Sequence, residues 1–109
     1  MTLLLGKVSV YVVLWRFRSL VGRESEFEQA YGPSGQWTQL FRRAEGYLGS
    51  ELLRRSDDPK EYLAIDRWTS RVAYEAFRAR WSSEYRRLDR LLEELTEEET
   101  PLGTFEVIP

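Results

Sequence analysis

Asp66 and Trp68 stand two residues apart in the run Glu61-Tyr62-Leu63-Ala64-Ile65-Asp66-Arg67-Trp68. Alternation along a strand puts Tyr62, Ala64, Asp66 and Trp68 on one face and Leu63, Ile65 and Arg67 on the other. A carboxylate in apolar surroundings has a raised pKa, which suits it to pull a proton from a phenol or from a carbon next to a carbonyl. Asp66 is therefore the candidate general base, with a structural ion pair to Arg67, Arg16 or Arg18 as its commoner alternative use. Trp68 offers an indole face on which an aromatic ligand can stack, or else closes the core at the strand end. Tyr11, Tyr62 and Tyr85 carry hydroxyls able to donate to a phenol or quinone oxygen, or to point at solvent.

What the chain lacks narrows the chemistry further. Its 109 residues include no His, no Cys and no Asn. Thiol nucleophiles, disulfides, zinc fingers, iron–sulfur clusters, haem ligation by His or Cys and every relay built on imidazole fall away together. Asp57-Asp58 lacks the spaced ligands of a calcium loop, and Gly32-Pro33-Ser34-Gly35 lacks the Gly-Lys-Ser/Thr tail of a phosphate loop. The expectation is a site without metal or cofactor. Sixteen basic and eighteen acidic side chains leave a net charge of −2, giving no single-sign field for nucleic acid or an anionic membrane. Fourteen of the sixteen are Arg, a bias that codon usage in a GC-rich genome explains. The length suits one domain over residues 1–109. Leu3–Leu5 is too short for a signal segment and no apolar run is long enough to span a membrane, so a cytoplasmic protein is expected.

The elements follow from pattern. Val8–Phe17 is β-branched and aromatic, predicting a strand whose two faces, Val8/Val10/Val12/Leu14 and Ser9/Tyr11/Val13/Trp15/Phe17, are both apolar. Glu24–Tyr31 and Gln36–Ala44 read as helical pieces split at Pro33, with Ser34 a cap for the second and Gly46 past its end. Tyr47–Arg55 and Glu61–Trp68 form a hairpin about the Asp-Asp-Pro turn, with Leu48/Ser50/Leu52 opposed to Tyr47/Glu51/Leu53 across the first strand. Thr69-Ser70 caps a helix over Arg71–Trp81, with Val72, Ala73, Ala76, Phe77 and Arg80 as its inner stripe. Ser82-Ser83 caps another, on which Tyr85, Leu88, Leu91, Leu92 and Leu95 share a face. The Glu93–Glu99 run reads as a solvated helix end and turn, before a short strand over Thr104–Ile108. This β-α-β-β-α-β order predicts an α+β fold: a ferredoxin-like sandwich with a four-stranded antiparallel sheet and helices on one face. A first strand apolar on both sides asks for cover on both. The simplest cover for the second side is another copy of the chain, its sheet packed face to face.

Several residues together resemble one known family. The first strand, Glu24-Ser-Glu-Phe27, Gly46-Tyr-Leu-Gly-Ser-Glu-Leu52 and Tyr62…Asp66-Arg-Trp-Thr-Ser70 leading into Ala73-Tyr74…Phe77 look like the antibiotic biosynthesis monooxygenase domain, a branch of the dimeric α/β barrel superfamily. The resemblance covers about Lys7 to Val107. It implies a homodimeric barrel with an apolar pocket between helices and sheet, and it places the family Trp at Trp68. Haem-degrading members need a His on the second helix, near Phe77-Arg78 here, and an Asn on the first strand; this chain has neither. The cofactor-free oxygenases carry an Asn near the family Trp, and the residue four before Trp68 is Ala64. What the resemblance implies is therefore a monooxygenase-like enzyme acting without metal or haem on an aromatic, polyketide-like or quinone-like small molecule. The alternative is a non-catalytic ligand-binding or stress-related barrel of the same fold.

Overall fold

A computed structural model describes residues 10–109 of the chain. Tyr11–Ser19 forms β1, Tyr47–Arg54 β2, Glu61–Trp68 β3 and Thr96–Glu106 β4. The sheet order is β2-β3-β1-β4 with every pair antiparallel, which is the ferredoxin-like arrangement. The helices are α1 (Glu24–Tyr31), α2 (Gln36–Phe41), α3 (Arg71–Arg80) and α4 (Ser82–Leu92), the last running into a 3₁₀ turn at Glu93–Leu95. They bury one face of the sheet. Tyr11, Val13 and Phe17 of β1 and Tyr62, Ala64 and Trp68 of β3 meet Phe27, Trp37, Phe41, Phe77 and Leu92 in one core. The core is unusually aromatic: Phe27 stacks on Tyr31 at 4.4 Å, and Phe41 meets Phe77 edge-on at 5.4 Å.

Local rules account for the ends of these elements, and several depart from expectation. Ser70 caps α3 by accepting from the Ala73 N–H at 3.0 Å. Ser34 and Ser82-Ser83 do not cap: Gly35 and Trp81 hold those positions, and Thr38 Oγ1 instead donates to the Pro33 and Gly35 carbonyls. The second helical piece stops at Phe41, three residues before Ala44, and leads through turns to Gly46. Gly46 has φ +88°, and a Cβ there would sit 2.6 Å from Thr69 Oγ1 and 2.7 Å from Ala73 Cβ, so only glycine lets this turn pass under α3. On α3 itself Phe77 alone is buried while Val72 is 74% exposed, so its inner stripe is narrower than its pattern.

Two strands also differ. β1 begins at Tyr11 and extends to Ser19; the expected start at Val8 and Ser9, like Leu3–Leu5, lies outside the described residues. β4 begins at Thr96, eight residues before the expected Thr104, and takes in most of the acidic run. It is an edge strand, where charge, proline and glycine are tolerated. A register shift between Leu14 and Trp15 skips Leu102 and accommodates Pro101 and Gly103. Arg18 reaches Asp58 at 2.7 Å and lies within 4 Å of Glu97 and Glu98, while Lys60 pairs with Glu97 at 2.8 Å. Those cations give the acidic segment its reason to lie beside β1.

Candidate functional site

Between the sheet and the helices α1, α2 and α4 lies a half-open cleft with a cavity of about 50 Å³, widening to about 480 Å³ of atom-free space when the solvent at its mouth is included. Trp15 and Phe17 form its floor with Ala64, and Tyr31, Trp37, Phe41 and Tyr85 form its walls beside Thr38. Three carboxylates complete the lining: Asp66, Asp89 and Glu99.

Asp66 owes its hydrogen-bond partner to a bulge. Tyr47 and Ser50 are an odd number of residues apart and would face opposite sides of a regular strand. The β2–β3 register instead jumps from Tyr47↔Trp68 to Gly49↔Arg67, with Gly49 at φ +143°, and this turns both side chains to the helix face. The expected alternation of Leu48/Ser50 against Tyr47 is therefore broken at Leu48. Ser50 Oγ donates to Asp66 Oδ1 at 2.6 Å, and the Tyr47 hydroxyl is 2.5 Å from Ser50 Oγ. Because the Ser50 proton is committed to Asp66, Tyr47 is the donor in the second bond. No Arg pairs with Asp66 among the described residues: Arg67 goes to Glu51, Arg16 to Glu61 and Arg18 to Asp58. The ion pair expected for Asp66 is thus replaced by one hydrogen bond from a neutral donor. Asp66 keeps part of its surface open to the cleft, yet the surrounding protein shields it from bulk water. Burial pushes its pKa up to about 6, against the pull of the Ser50 hydroxyl.

Of the other residues expected at a site, the structure brings Tyr85 to the cleft and places three elsewhere. Tyr85 lies in the wall against Trp37 at 4.9 Å, with the Arg78 guanidinium 3.8 Å from its ring centre; burial raises its pKa. Trp68 is 0% exposed, enclosed edge-on by Tyr47, Tyr74 and Phe41, outside the cleft lining. Tyr11 is buried against Tyr74 at 5.8 Å, also away from the lining. Tyr62 donates its hydroxyl to Glu28 at 2.7 Å, beside Arg54, near the far end of β3. Its pKa is pushed up to about 12 by burial and by that carboxylate.

A family model described as antibiotic biosynthesis monooxygenase matches residues 10–88, the stretch that carries Asp66, Tyr85 and most of the cleft wall. The chain belongs to the antibiotic biosynthesis monooxygenase family. Among solved structures it is similar to SnoaB, a cofactor-independent oxygenase from Streptomyces nogalater. In a point-mutant form of SnoaB the identity is 25% over 92% of this chain and 94% of that one, with a TM-score of 0.74. A second SnoaB structure gives 24% identity, coverage of 89% and 91%, and a TM-score of 0.71. A Bordetella bronchiseptica protein assigned by name to the antibiotic biosynthesis monooxygenases is 22% identical over 91% of this chain and 95% of its own, with a TM-score of 0.66, and shares the fold. A comparison with curated proteins finds no match.

In this member of the antibiotic biosynthesis monooxygenase family, the cleft also contains residues that the sequence did not single out as a site. Trp15, Trp37, Tyr31 and Phe41 were visible as apolar helix and strand positions, and periodicity alone assigns such positions to a core. The signal that separates them is polar: Tyr31 is 7% and Trp37 8% exposed, yet the Tyr31 hydroxyl and the Trp37 Nε1–H have no hydrogen-bond partner among the described residues. The Trp37 N–H lies near the Tyr31 oxygen but not in hydrogen-bond geometry. Asp89 and Glu99 gave no sign of their role because they come from α4 and β4, brought together only by the fold.

Proposed function

We propose that the chain is a cofactor-independent monooxygenase whose substrate is a hydroxylated aromatic, polyketide-like or quinone-like, with Asp66 as general base. The observation that supports this most is Asp66 itself: a carboxyl group in an aromatic cleft, held by Ser50 rather than by a cation, with a pKa near 6. Such a group is ionised at neutral pH and still basic enough to take a proton. The aromatic walls stack the substrate and exclude water. Tyr85 contributes to that wall. Trp68, Tyr11 and Tyr62 act at a distance from the substrate, by holding β1 and β3 in register behind the cleft.

The chemistry balances without a bound cofactor when the substrate supplies the electrons. Asp66 takes a proton from a phenol or from a doubly activated CH₂, and the resulting anion passes one electron to O₂. Radical recombination forms a C–O–O⁻ bond, and protonated Asp66 returns its proton to the peroxide. Loss of the second C–H proton then breaks the O–O bond, leaving C=O on the substrate and releasing water. Both oxygen atoms and both hydrogens are accounted for, and Asp66 ends as it began.

We further propose a homodimer, with the sheet face opposite the helices as the contact. That face carries Leu14, Ile65 and Phe105, and Phe105 is 50% exposed. No helix of the described residues is long and apolar enough to cross a membrane, and the charge balance offers nothing to nucleic acid.

The test is oxygen uptake under ¹⁸O₂ with 1,8-dihydroxyanthrone as the probe. The expected product is the anthraquinone carrying one labelled oxygen, formed faster than in buffer alone. In Asp66→Asn the enzymatic rate falls by about 10²–10⁴-fold, the usual worth of a general base. An unchanged rate in that variant removes Asp66 from the mechanism, and no protein-dependent uptake at all favours the non-catalytic alternative.

A further inference from the structure

The end of the cleft away from Asp66 is built differently, and its carboxylates form no salt bridge among the described residues. Asp66 lies across from Val13 on one side of β1, and Glu99 across from Phe17 on the other side. Four residues along the sheet and two strand spacings across it separate the backbone positions of the two residues, about 13 Å by about 10 Å in a regular sheet, a span that the two side chains shorten. That is the reach of a polycyclic aromatic skeleton. At the Glu99 end, Asp89 from α4 lines the same mouth. Neither Asp89 nor Glu99 forms a salt bridge within the described residues, although the surface around them is rich in Arg pairs. Among the described residues the cleft lining holds three carboxylates and no Lys or Arg; Arg78 is set on the Tyr85 ring, donates to the Tyr74 hydroxyl and feels the Asp89 charge without forming a salt bridge to it. Glu99 titrates above the ordinary glutamate range, through partial desolvation first and then the charges of Asp89 and Glu93.

A second observation is independent of the acids. The Tyr31 hydroxyl and the Trp37 Nε1–H, both more than nine-tenths buried in the cleft wall, are without hydrogen-bond partners among the described residues. The Tyr31 hydroxyl is close enough to Glu99 for that charge to help raise its pKa, after burial. Buried polar atoms are ordinarily satisfied, and two unsatisfied ones beside unpaired carboxylates mark a place where a polar group is missing.

We propose that this end of the cleft receives a protonated amine carried on the aromatic substrate. The proposal rests on the cleft being the substrate site. The ammonium is neutralised by Glu99 and Asp89 and faces the rings of Tyr31 and Trp37, which favour a cation. The Tyr31 oxygen accepts one of its N–H groups, and the Trp37 N–H is left for an oxygen next to the amine. Asp66 then meets the acidic phenol or CH₂ at the other end of the skeleton. The substrate class is thus narrowed to amino-substituted hydroxylated polycyclic aromatics.

The test is equilibrium binding by calorimetry at pH 7.5 with two three-ring probes of opposite charge, 9-(aminomethyl)anthracene, protonated at that pH, and anthracene-9-carboxylate. The cation is expected to bind at least tenfold more tightly. In the Asp89→Asn/Glu99→Gln double variant the preference shrinks to about twofold or less, whereas Tyr31→Phe weakens the cation selectively and leaves the anion unchanged. Equal affinities for the two probes in the wild type overturn the amine subsite while leaving the aromatic cleft standing. A preference that survives the double variant also overturns it, since the selectivity then comes from elsewhere. Failure of both probes to bind overturns the substrate cleft and the subsite together.

Discussion

Asp66 sets function against stability at a single residue. Its pKa is raised from the ordinary value of 3.8 to about 6 by burial. A carboxyl whose folded pKa exceeds its unfolded one stabilises the fold when protonated, and that contribution is lost as pH rises from about 4 through 6. Asp66→Asn keeps an acceptor for Ser50 and removes the buried charge, so the variant should be more stable than wild type at pH 8, by about 1–3 kcal/mol. At pH 3.5 the two should melt together, and thermal unfolding at both pH values reads the difference. A variant less stable at pH 8 would show Asp66 to be a structural carboxylate. The base candidate itself could be read from the sequence, since strand alternation alone placed it with Ala64 on the buried face. Its partner could not. The Tyr47–Ser50 pairing depends on a bulge at Leu48-Gly49, and the glycine there reads equally as part of an ordinary turn.

At the scale of elements, glycines show where the fold is most constrained. Gly46 and Gly22 have nearly the same positive φ, +88° and +84°, but only Gly46 is crowded by Thr69 and Ala73. Gly22→Ala should cost about 1 kcal/mol from backbone strain alone, and Gly46→Ala at least about 2 kcal/mol because the α3 contact must also shift. Urea denaturation of the two variants separates strain from packing; equal losses would mean that the β2 entry is free to move. β3 and α1 matched their sequence patterns residue for residue, because each has a clear period and clear breakers at its ends. β4 did not. Glu-Glu-Glu-Thr-Pro-Leu-Gly resembles a solvated turn, and only long-range partners, the β1 backbone with Arg18 and Lys60 beside it, make it a strand. Since β4 carries Glu99, the mouth of the cleft was hidden with it.

At the scale of the molecule, the described residues place helices over one face of the sheet and none over the other. The two apolar faces of β1 foreshadowed this arrangement, and the proposed dimer follows from it. Phe105→Glu places a charge at the centre of the proposed contact, opposite Val12. It should convert a dimer to a monomer in native mass spectrometry at micromolar concentration, with the monomer retaining its helical signal. A wild-type protein that is already monomeric would leave the open face without the partner proposed for it. Fold and family were readable because they rest on periodicity and on the Gly-Tyr-Leu-Gly and Asp-Arg-Trp segments. The cleft was only half readable, since its lining comes from six separate elements that no local pattern connects.

The most direct test of the account is the pKa of Asp66, measured by following its ¹³Cγ chemical shift against pH in the ligand-free protein. A midpoint near 6 is expected, with the Ser50→Ala variant titrating higher because the hydroxyl that favours the charged form is gone. A midpoint at or below about 4, the range of a solvated or ion-paired aspartate, would contradict it: the carboxylate would be too weak a base for the proposed chemistry.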